Sequence, residues 1–328
     1  MTNSFWNGKK VLVTGAGGFI GRHLCRRLLE EGARLRVLLR YTSRPLEEVF
    51  PRELRDRVEV LRGDVTDTAL LRAGLREVET VFHLAALVGI PYSYECPAEV
   101  FRVNAGGTLA LLEAARQETP ARLVLTSTSE VLGSARTVPM GEDHPLQAQS
   151  PYAASKVAAD QLGLSYHLSF GLPVAVLRPF NTYGPGQSGR AVIPAILGQA
   201  LAGGSLRLGD TTTTRDFNYV DDTVEAFLAA GCQPAAVGRV TPYGSGREAS
   251  IAEVVEIAGR LVGRPLPVER DPQRLRPADS EVLRLCCDPE PARRVLGVQA
   301  RVPLEEGLSR TLEWLRGEDR RPGARHER

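Results

Sequence analysis

The sequence predicts an α/β fold with a doubly wound parallel sheet and a smaller, mixed α/β lobe. Short β-branched runs alternate with amphipathic stretches over the first half of the 328-residue chain, which is typical of parallel strands with helices on both faces. A glycine-rich turn follows the first run, and beyond Gly184 the alternation gives way to loops rich in Gly, Pro, Arg and Thr. The length suits one large domain with a smaller lobe.

Six runs are predicted strands because each is short, apolar and bounded by turn or helix signals. They are VLVTG (11–15), LRVLLR (35–40), VEVLRGD (58–64), TVFHLAA (80–86), RLVLTSTS (122–129) and VAVLRPF (174–180). Segments 19–31 and 157–169 carry apolar residues near helical spacing, and Gly32 and Gly171 are suitable helix ends. Strands and helices therefore alternate in the order of a nucleotide-binding fold.

The second half of the chain predicts a lobe that closes on a ligand. Its helical patterns cover residues 193–202, 220–231, 251–261 and 304–314. We expect a dinucleotide-binding domain over residues 1–180, to which segments near 215–245 return, and a substrate lobe over 181–315. The polar tail, 316–328, is predicted to be disordered because it has few apolar residues to bury.

The composition is that of an ordinary globular protein. Charged residues make up 24%, hydrophobic residues 43%, and the net charge is +2, so no basic excess points to a nucleic-acid or membrane surface. Five cysteines without a C-x-x-C pair predict neither a disulfide framework nor a zinc site, and we expect no metal. The chain shows no signal-peptide pattern and no apolar run long enough to span a bilayer, so we expect a cytoplasmic protein.

The turn TGAGGFIG predicts a dinucleotide site. Gly15, Gly18 and Gly21 are spaced so that the turn is tight and the backbone can approach a pyrophosphate. The following helix, beginning near Phe19 and Ile20, offers free N–H groups to the phosphates. Such a turn can also be an ordinary strand-to-helix connection, but its place after the first strand favours the dinucleotide interpretation.

The end of the second predicted strand favours NADP over NAD. Where an NAD site usually has an acid for the ribose, the sequence reads RYTSR, and Arg40, Ser43 and Arg44 can hydrogen-bond a 2′-phosphate. The alternative is a solvated surface loop.

Residues after the third and fourth strands are expected beside the adenosine, because strand carboxyl ends form the binding crevice. They are Asp64, Val65, Leu84, Ala85 and Ala86. An acid in GDVTD can equally be a helix N-cap.

A candidate catalytic group follows the fifth predicted strand. Tyr152 and Lys156 are four residues apart, so on a helix they share a face, and the ammonium can lower the pKa of the phenol. Thr128, Ser129 and Glu130 end the preceding strand and bring hydroxyls and a carboxylate to the same edge.

The motifs together resemble those of a known family. In order they are TGAGGFIG, HLAA, TSTSEV, Y-x-x-x-K, LRPFNTYGP and TRDFNYVDD. In these residues the chain resembles, from about 8 to 315, the extended short-chain dehydrogenases, Rossmann-fold enzymes that include nucleotide-sugar epimerases and dehydratases. It is most similar to dehydratases acting on nucleotide-linked N-acetylglucosamine.

The resemblance implies a 4,6-dehydratase reaction through transient oxidation at the sugar C4. Tyr152 would take the O4 proton, Lys156 would keep the tyrosine ionised and bind the nicotinamide ribose, and Thr128 would hydrogen-bond O4. Glu130 would remove the C5 proton before water leaves from C6.

Two departures from the family pattern keep alternatives open. Thymidine-linked sugar dehydratases have an acid where this chain has Ser129, and a hydroxyl is a poor acid. Leu132 replaces the usual Tyr. A C4 epimerase or a UDP-glucuronate decarboxylase would need no acid there, and a non-catalytic dinucleotide-binding protein is a further alternative.

Polar residues in the later loops match the family's nucleotide-sugar site. The resemblance assigns Arg215 and Arg276 to the diphosphate and Asn181 to the substrate, and Arg190 lies in a loop expected to face the crevice. For these arginines the alternative is a surface salt bridge. The resemblance also implies a homodimer.

Overall fold

Short apolar strands dominate the computed structural model, which describes residues 4–41, 55 and 57–319. The strands found in this part of the chain are β1 (Lys10–Thr14), β2 (Arg34–Leu39), β3 (Val58–Arg62), β4 (Thr80–His83), β5 (Arg122–Thr126), β6 (Val174–Pro179), β7 (Asn181–Tyr183), β8 (Leu206–Leu208), β9 (Thr214–Tyr219), β10 (Val240–Tyr243), β11 (Glu248–Ser250) and β12 (Val268–Arg270). Strands β1 to β6 coincide with the six predicted runs.

The helices cover the segments between these strands. Those in the described ranges are α1 (Phe19–Glu30), α2 (Thr68–Leu75), α3 (Ile90–Glu95), α4 (Pro97–Phe101), α5 (Gly107–Glu118), α6 (Pro151–Phe170), α7 (Val192–Ala202), α8 (Val220–Cys232), α9 (Ile251–Val262), α10 (Glu290–Leu296) and α11 (Leu304–Asp319). Local signals determine both ends of helix α9. Ser250 and Glu253 form a capping box at its start, and Gly263 ends it with a left-handed backbone conformation.

The main sheet is parallel throughout its described strands, in the order β10-β6-β5-β4-β1-β2-β3. Val11 and Val13 belong to the cluster that contains α1 and α8, whereas Leu12 belongs to the cluster with α2 and α5. Both faces are therefore covered by helices, and the predicted doubly wound α/β fold is confirmed.

The strand order reverses direction at β1, which pairs with β2 on one side and β4 on the other. In doubly wound sheets, ligands bind outside the strand carboxyl ends at such a point. The glycine turn begins at this edge.

The second half of the chain adds a mixed sheet, β11-β9-β7, and a two-stranded sheet, β12-β8, to the main sheet. One hydrophobic cluster contains Val13 and Phe82 of the main sheet together with Phe217, Ile251 and Leu308 from these later segments. The later segments therefore share a continuous core with the main sheet, and β10 pairs directly with β6.

Two helix ends differ from the sequence expectation. Helix α11 continues to Asp319, four residues into the segment predicted to be disordered, while residues 320–328 lie outside the described part. Helix α6 starts at Pro151 rather than 157, because Ser150 caps it by accepting a hydrogen bond from Ala153 N. Across the described residues, no helix combines the length and apolar character needed to cross a bilayer.

Candidate functional site

A cleft of about 1150 Å³ follows the carboxyl ends of the main-sheet strands. Every predicted site residue within the described ranges borders it: Gly15, Gly18, Phe19, Ile20, Arg40, Asp64, Val65, Leu84, Ala85, Ala86, Thr128, Ser129, Glu130, Tyr152, Lys156, Asn181, Arg190, Arg215 and Arg276. Ser43 and Arg44 lie outside the described residues. Segments far apart in the sequence thus meet at one elongated site.

The glycine turn fits the pyrophosphate of a dinucleotide. Gly15 has a φ of +73°, and a Cβ there would lie 2.7 Å from Ala85 N, so a side chain is excluded both by the backbone and by space. A Cβ on Gly21 would lie 2.2 Å from Gly15 O, so α1 packs directly on the turn. Gly18 caps α1 without a side chain, which leaves the first N–H groups of the helix open to a phosphate.

The end of β4 is held by a buried histidine. His83 Nδ1 lies 2.8 Å from Thr14 Oγ1, and its Nε2 lies 3.2 Å from Thr108 Oγ1. Ala85 N donates to the same Thr14 hydroxyl at 3.2 Å. Burial lowers the pKa of His83 to about 3, with a smaller effect from Lys156, so the ring is neutral and its role is structural.

Asp64 and Arg40 border the far end of the cleft. One oxygen of Asp64 accepts hydrogen bonds from Thr66 N at 2.9 Å and Thr66 Oγ1 at 2.7 Å. These bonds are the main reason that the pKa of Asp64 is lowered. The adjacent helix is capped by Asp67, so the acid of GDVTD that serves as an N-cap is Asp67 and not Asp64.

Tyr152 and Lys156 lie in the first two turns of α6, and both side chains are buried. Burial raises the pKa of Tyr152, Glu130 and Asp160 raise it further, and a hydrogen bond with Thr128 opposes them. Burial also lowers the pKa of Lys156, against the charge of Asp160. The sequence predicts a lowered pKa for Tyr152, and this expectation is wrong: burial and the neighbouring carboxylates raise the pKa and favour the neutral phenol.

Thr128, Ser129 and Glu130 form a tight turn after β5. Thr128 Oγ1 accepts a hydrogen bond from Glu130 N at 3.3 Å, at the start of a 3₁₀ turn over Ser129–Leu132. Ser129 and Glu130 are both buried. The turn holds the carboxylate and two hydroxyls close to Tyr152.

A buried polar network beneath this turn was not predicted from the sequence. Ser127 Oγ donates to Asp160 Oδ2 at 2.5 Å, and Arg178 Nη2 donates to the same oxygen at 3.1 Å. The network joins the end of β5 to α6 and β6. Ser127, Asp160 and Arg178 come from three separate segments, and the apolar pattern of these segments does not predict the hydrogen bonds between them.

Asn104 is a second residue that the sequence did not single out. Its side chain accepts from Leu87 N at 2.8 Å and donates to Leu87 O at 3.0 Å and Ser155 Oγ at 2.9 Å. It lies in a π-helical turn, Arg102–Gly106, a feature frequent at functional sites. It fixes the chain after β4 against α6.

The predicted substrate residues lie at the other end of the cleft. Arg215 is buried, Arg276 is partly buried and Arg190 is exposed at the rim. Within the described structure, Asn181 Oδ1 and Arg276 Nη1 are buried atoms without a hydrogen-bond partner, as expected of groups that bind a ligand. Arg276 also lies 3.6 Å from Glu130, which the sequence did not predict.

No group of three or more His, Cys, Asp or Glu side chains in residues 4–41, 55 and 57–319 could hold a metal ion.

Known nucleotide-sugar enzymes are similar to this chain over nearly its whole length. The family model described as GDP-mannose 4,6 dehydratase matches residues 12–311. A UDP-glucose 4-epimerase of Mycolicibacterium smegmatis is 37% identical over 314 residues, covering 94% of this chain and 98% of that protein. A dTDP-glucose 4,6-dehydratase of Actinoplanes sp. is 32% identical over 323 residues, covering 94% of this chain and 98% of that protein.

The fold is also that of solved enzymes. DesIV, a dTDP-glucose 4,6-dehydratase from Streptomyces venezuelae whose crystal structure contains NAD, superposes with a TM-score of 0.86. It is 31% identical, and the match covers 94% of this chain and 97% of DesIV.

Proposed function

Because the chain belongs to the GDP-mannose 4,6 dehydratase family of extended short-chain dehydrogenases, we propose that it is an NAD(P)-dependent nucleotide-sugar 4,6-dehydratase. This lyase would form a 4-keto-6-deoxy sugar from UDP- or GDP-linked N-acetylglucosamine or from dTDP-glucose. The observation that carries the proposal is that Thr128, Glu130, Tyr152 and Lys156 border the same cleft as the glycine turn.

The first step of the proposed reaction is the oxidation of the sugar at C4. When bound, the oxidised nicotinamide would supply a positive charge and a reversible hydride store: it would take the hydride of the sugar C4 and give it back to C6 after water has left, while C5 takes up a proton, so that the cofactor ends oxidised. Tyr152 removes the proton from the sugar O4, and Thr128, which borders the same cleft, holds that oxygen as it becomes a ketone. Because burial keeps the phenol neutral, its ionisation depends on positive charge nearby, which Lys156 provides from the next helical turn.

The residues of the turn after β5 then catalyse the elimination of water. The C4 ketone acidifies the C5 proton, which Glu130 removes as general base. The departing C6 hydroxyl needs a proton, and Ser129 is a poor acid. We propose that Glu130 returns this proton itself, with a water held by Ser129 as the alternative route.

The glycine turn and the end of β2 support an NAD(P) cofactor. Gly15 and Gly18 would bind the pyrophosphate, and Arg40 at the cleft edge favours the 2′-phosphate of NADP. NAD is the alternative, and the NAD in the related DesIV crystal structure supports it.

A C4 epimerase is the second candidate. Ser129 stands where an elimination acid is expected, and the 37% identical relative is a UDP-glucose 4-epimerase. An epimerase would use Tyr152, Lys156 and Thr128 in the same way and would leave C5 and C6 untouched.

One product assay separates these activities. The full chain is incubated with UDP-N-acetylglucosamine, GDP-N-acetylglucosamine, dTDP-glucose and UDP-glucose, each with NAD and with NADP, and the products are analysed by mass spectrometry. A dehydratase product loses one water, whereas an epimer keeps the substrate mass. We expect loss of water, and an unchanged mass with an altered C4 configuration would contradict the dehydratase proposal.

A tyrosine pair provides the control for catalysis. We expect Tyr152→Phe to lower kcat by about 100- to 10,000-fold, because it removes a general acid–base group. Tyr166→Phe changes another tyrosine of α6, one that hydrogen-bonds Glu113 outside the cleft, and should keep wild-type turnover. Undiminished turnover in Tyr152→Phe would refute the assignment.

We further propose a cytoplasmic homodimer. All five cysteines are free within the described residues, which suits a reducing compartment. Helices α5 and α6 pack together and carry Leu109 and Leu168, which are 39% and 82% exposed. Single exposed apolar side chains are common, so the homodimer rests on the family resemblance, and we propose these two helices as its contact.

A further inference from the structure

Four charged side chains form an alternating row along the substrate end of the cleft. Glu281 Oε1 lies 3.3 Å from Arg215 Nη2 and 3.7 Å from Arg276 Nη1. The same Arg276 nitrogen lies 3.6 Å from Glu130 Oε2. One carboxylate oxygen thus stands between two guanidinium groups, and the sequence-based assignment of the two arginines did not include it.

One nitrogen in this row of charged side chains makes no hydrogen bond. Arg276 Nη1 is buried, yet it has no hydrogen-bond partner among the described residues. A buried donor without an acceptor is costly, so this nitrogen is suited to receive an acceptor from a ligand. Two neighbouring guanidinium groups favour an anion with several oxygens, such as a diphosphate.

The guanidinium groups of Arg215 and Arg276 repel each other electrostatically. Burial lowers the pKa of Arg215, Glu130 raises it, and the nearby charge of Arg276 lowers it again. That last effect is the electrostatic repulsion between the guanidinium groups. A carboxylate between them offsets this repulsion.

The backbone of Glu281 is fixed independently of its charge. Its carbonyl accepts hydrogen bonds from Gln149 Nε2 at 3.2 Å and Ser134 Oγ at 3.4 Å. The preceding residue, Ser280, hydrogen-bonds the hydroxyl of Tyr94 at 2.6 Å. The loop is therefore anchored to the half of the molecule that carries the catalytic group.

We propose that Glu281 is a positioning residue that holds Arg215 and Arg276 side by side for the diphosphate of the substrate. Glu281 Oε1 accepts a hydrogen bond from Arg215 Nη2 at 3.3 Å but none from Arg276 Nη1, which lies 3.7 Å away. The Arg276 nitrogen therefore remains for the ligand, whereas Arg215 Nη1 already donates to Thr214 O at 2.9 Å. Ordering the two arginines before binding reduces the loss of conformational freedom on binding. The inference rests on the proposed function only in requiring a nucleoside-diphosphate sugar, which both candidate activities use.

The test measures nucleotide binding by calorimetry on the full chain with NAD present, using UDP, dTDP and GDP as probes. We expect Glu281→Gln to weaken the tightest of these complexes roughly 3- to 10-fold, or up to about 1.4 kcal/mol. Glu281→Asp keeps the charge on a shorter side chain and should lose less. Glu142→Gln breaks the exposed pair with Arg294, whose atoms lie 2.6 Å apart outside the cleft, and should bind like the wild type.

Kinetics add a second readout. For Glu281→Gln we expect KM to rise by the same factor while kcat stays within about twofold, because the residue acts on binding and not on the reacting atoms. If Glu281→Gln is found unfolded by circular dichroism, Glu281→Asp carries the test.

Several results would overturn the inference. They are unchanged or tighter binding in the Gln variant, an equal loss in Glu142→Gln, a fall in kcat at constant KM, or a wild type that binds none of the three nucleotides. If a folded Glu281→Asp must carry the test, binding equal to the wild type would overturn it too. A chain that binds a nucleotide but converts no nucleotide sugar would instead refute the proposed activity alone.

Discussion

Glu130 is the residue at which sequence and structure give the most different pictures. The family resemblance implies that it is the base of an elimination, next to a serine that is a poor acid. The structure adds that Arg276, expected to bind the diphosphate, lies 3.6 Å from its carboxylate. The proposed base and the arginine expected to bind the diphosphate are therefore neighbours, and we expect a diphosphate at Arg276 to change the charge around Glu130.

His83 should make the protein sensitive to mild acid. Its pKa is lowered from 6.5 to about 3 in the folded chain, so below pH 6.5 the unfolded chain binds a proton that the folded chain rejects. Stability is therefore lost as the pH falls from 6.5 toward 3. By pH 5 this residue alone should lower the free energy of unfolding by about 2 kcal/mol.

A variant isolates this contribution. Urea unfolding of the wild type and of His83→Gln at pH 7 and pH 5 should show the difference in stability shrinking by about 2 kcal/mol on acidification. Other titrating groups are common to both proteins and cancel. A difference that is the same at both pH values would mean that His83 is not the buried neutral ring described above.

At the scale of elements, the strand-turn-helix unit β1 to α1 was predictable because each part has a local signal. The strand is apolar, the glycines fit a tight turn, and α1 buries Leu24 and Leu28 one turn apart. The three-residue strands of the second lobe, such as β7 and β11, were not predicted. Their pairing with β9 depends on segments that are distant in the sequence.

Two helical glycines should respond in opposite ways to the same substitution. In Gly21→Ala the new Cβ would lie 2.2 Å from Gly15 O, so α1 must shift and we expect a loss of about 1–3 kcal/mol. Gly198, in α7, has open space around its Cβ position, so Gly198→Ala should stabilise the helix by up to about 1 kcal/mol.

Urea unfolding and NAD(P) titration of both variants test this difference. Gly21→Ala should also bind the dinucleotide more weakly, whereas Gly198→Ala should not. Equal stability and equal cofactor affinity in the two variants would show that α1 does not need its close approach to the turn.

At the scale of the whole molecule, a single core extends from the main sheet into the second lobe. Val13 and Phe82 share a cluster with Phe217 and Leu308, so the two ends of the cleft are held in one arrangement. The residues proposed for catalysis border the same cleft. We therefore expect a dinucleotide at the glycine-turn end and a substrate at the arginine end to meet within one continuous body.

The proposed homodimer belongs to this scale. Sedimentation velocity of the full chain should give twice the mass of one chain, and Leu168→Arg should shift the mass toward that of a monomer by placing a charge in the contact. Val268→Arg is the control, because Val268 is 42% exposed on β12 in the other lobe. A monomeric wild type, or an equal effect of both variants, would contradict the proposal.

The parallel sheet, the glycine turn and the Tyr152 and Lys156 pair could be predicted from the amino-acid sequence, because each has its signal in residues that are close together in the chain. The approach of Arg276 to Glu130, the network around Asp160 and the raised pKa of Tyr152 became visible only in the folded chain. The physical reason is that these features depend on burial and on charges from distant segments, and local periodicity contains no information about either.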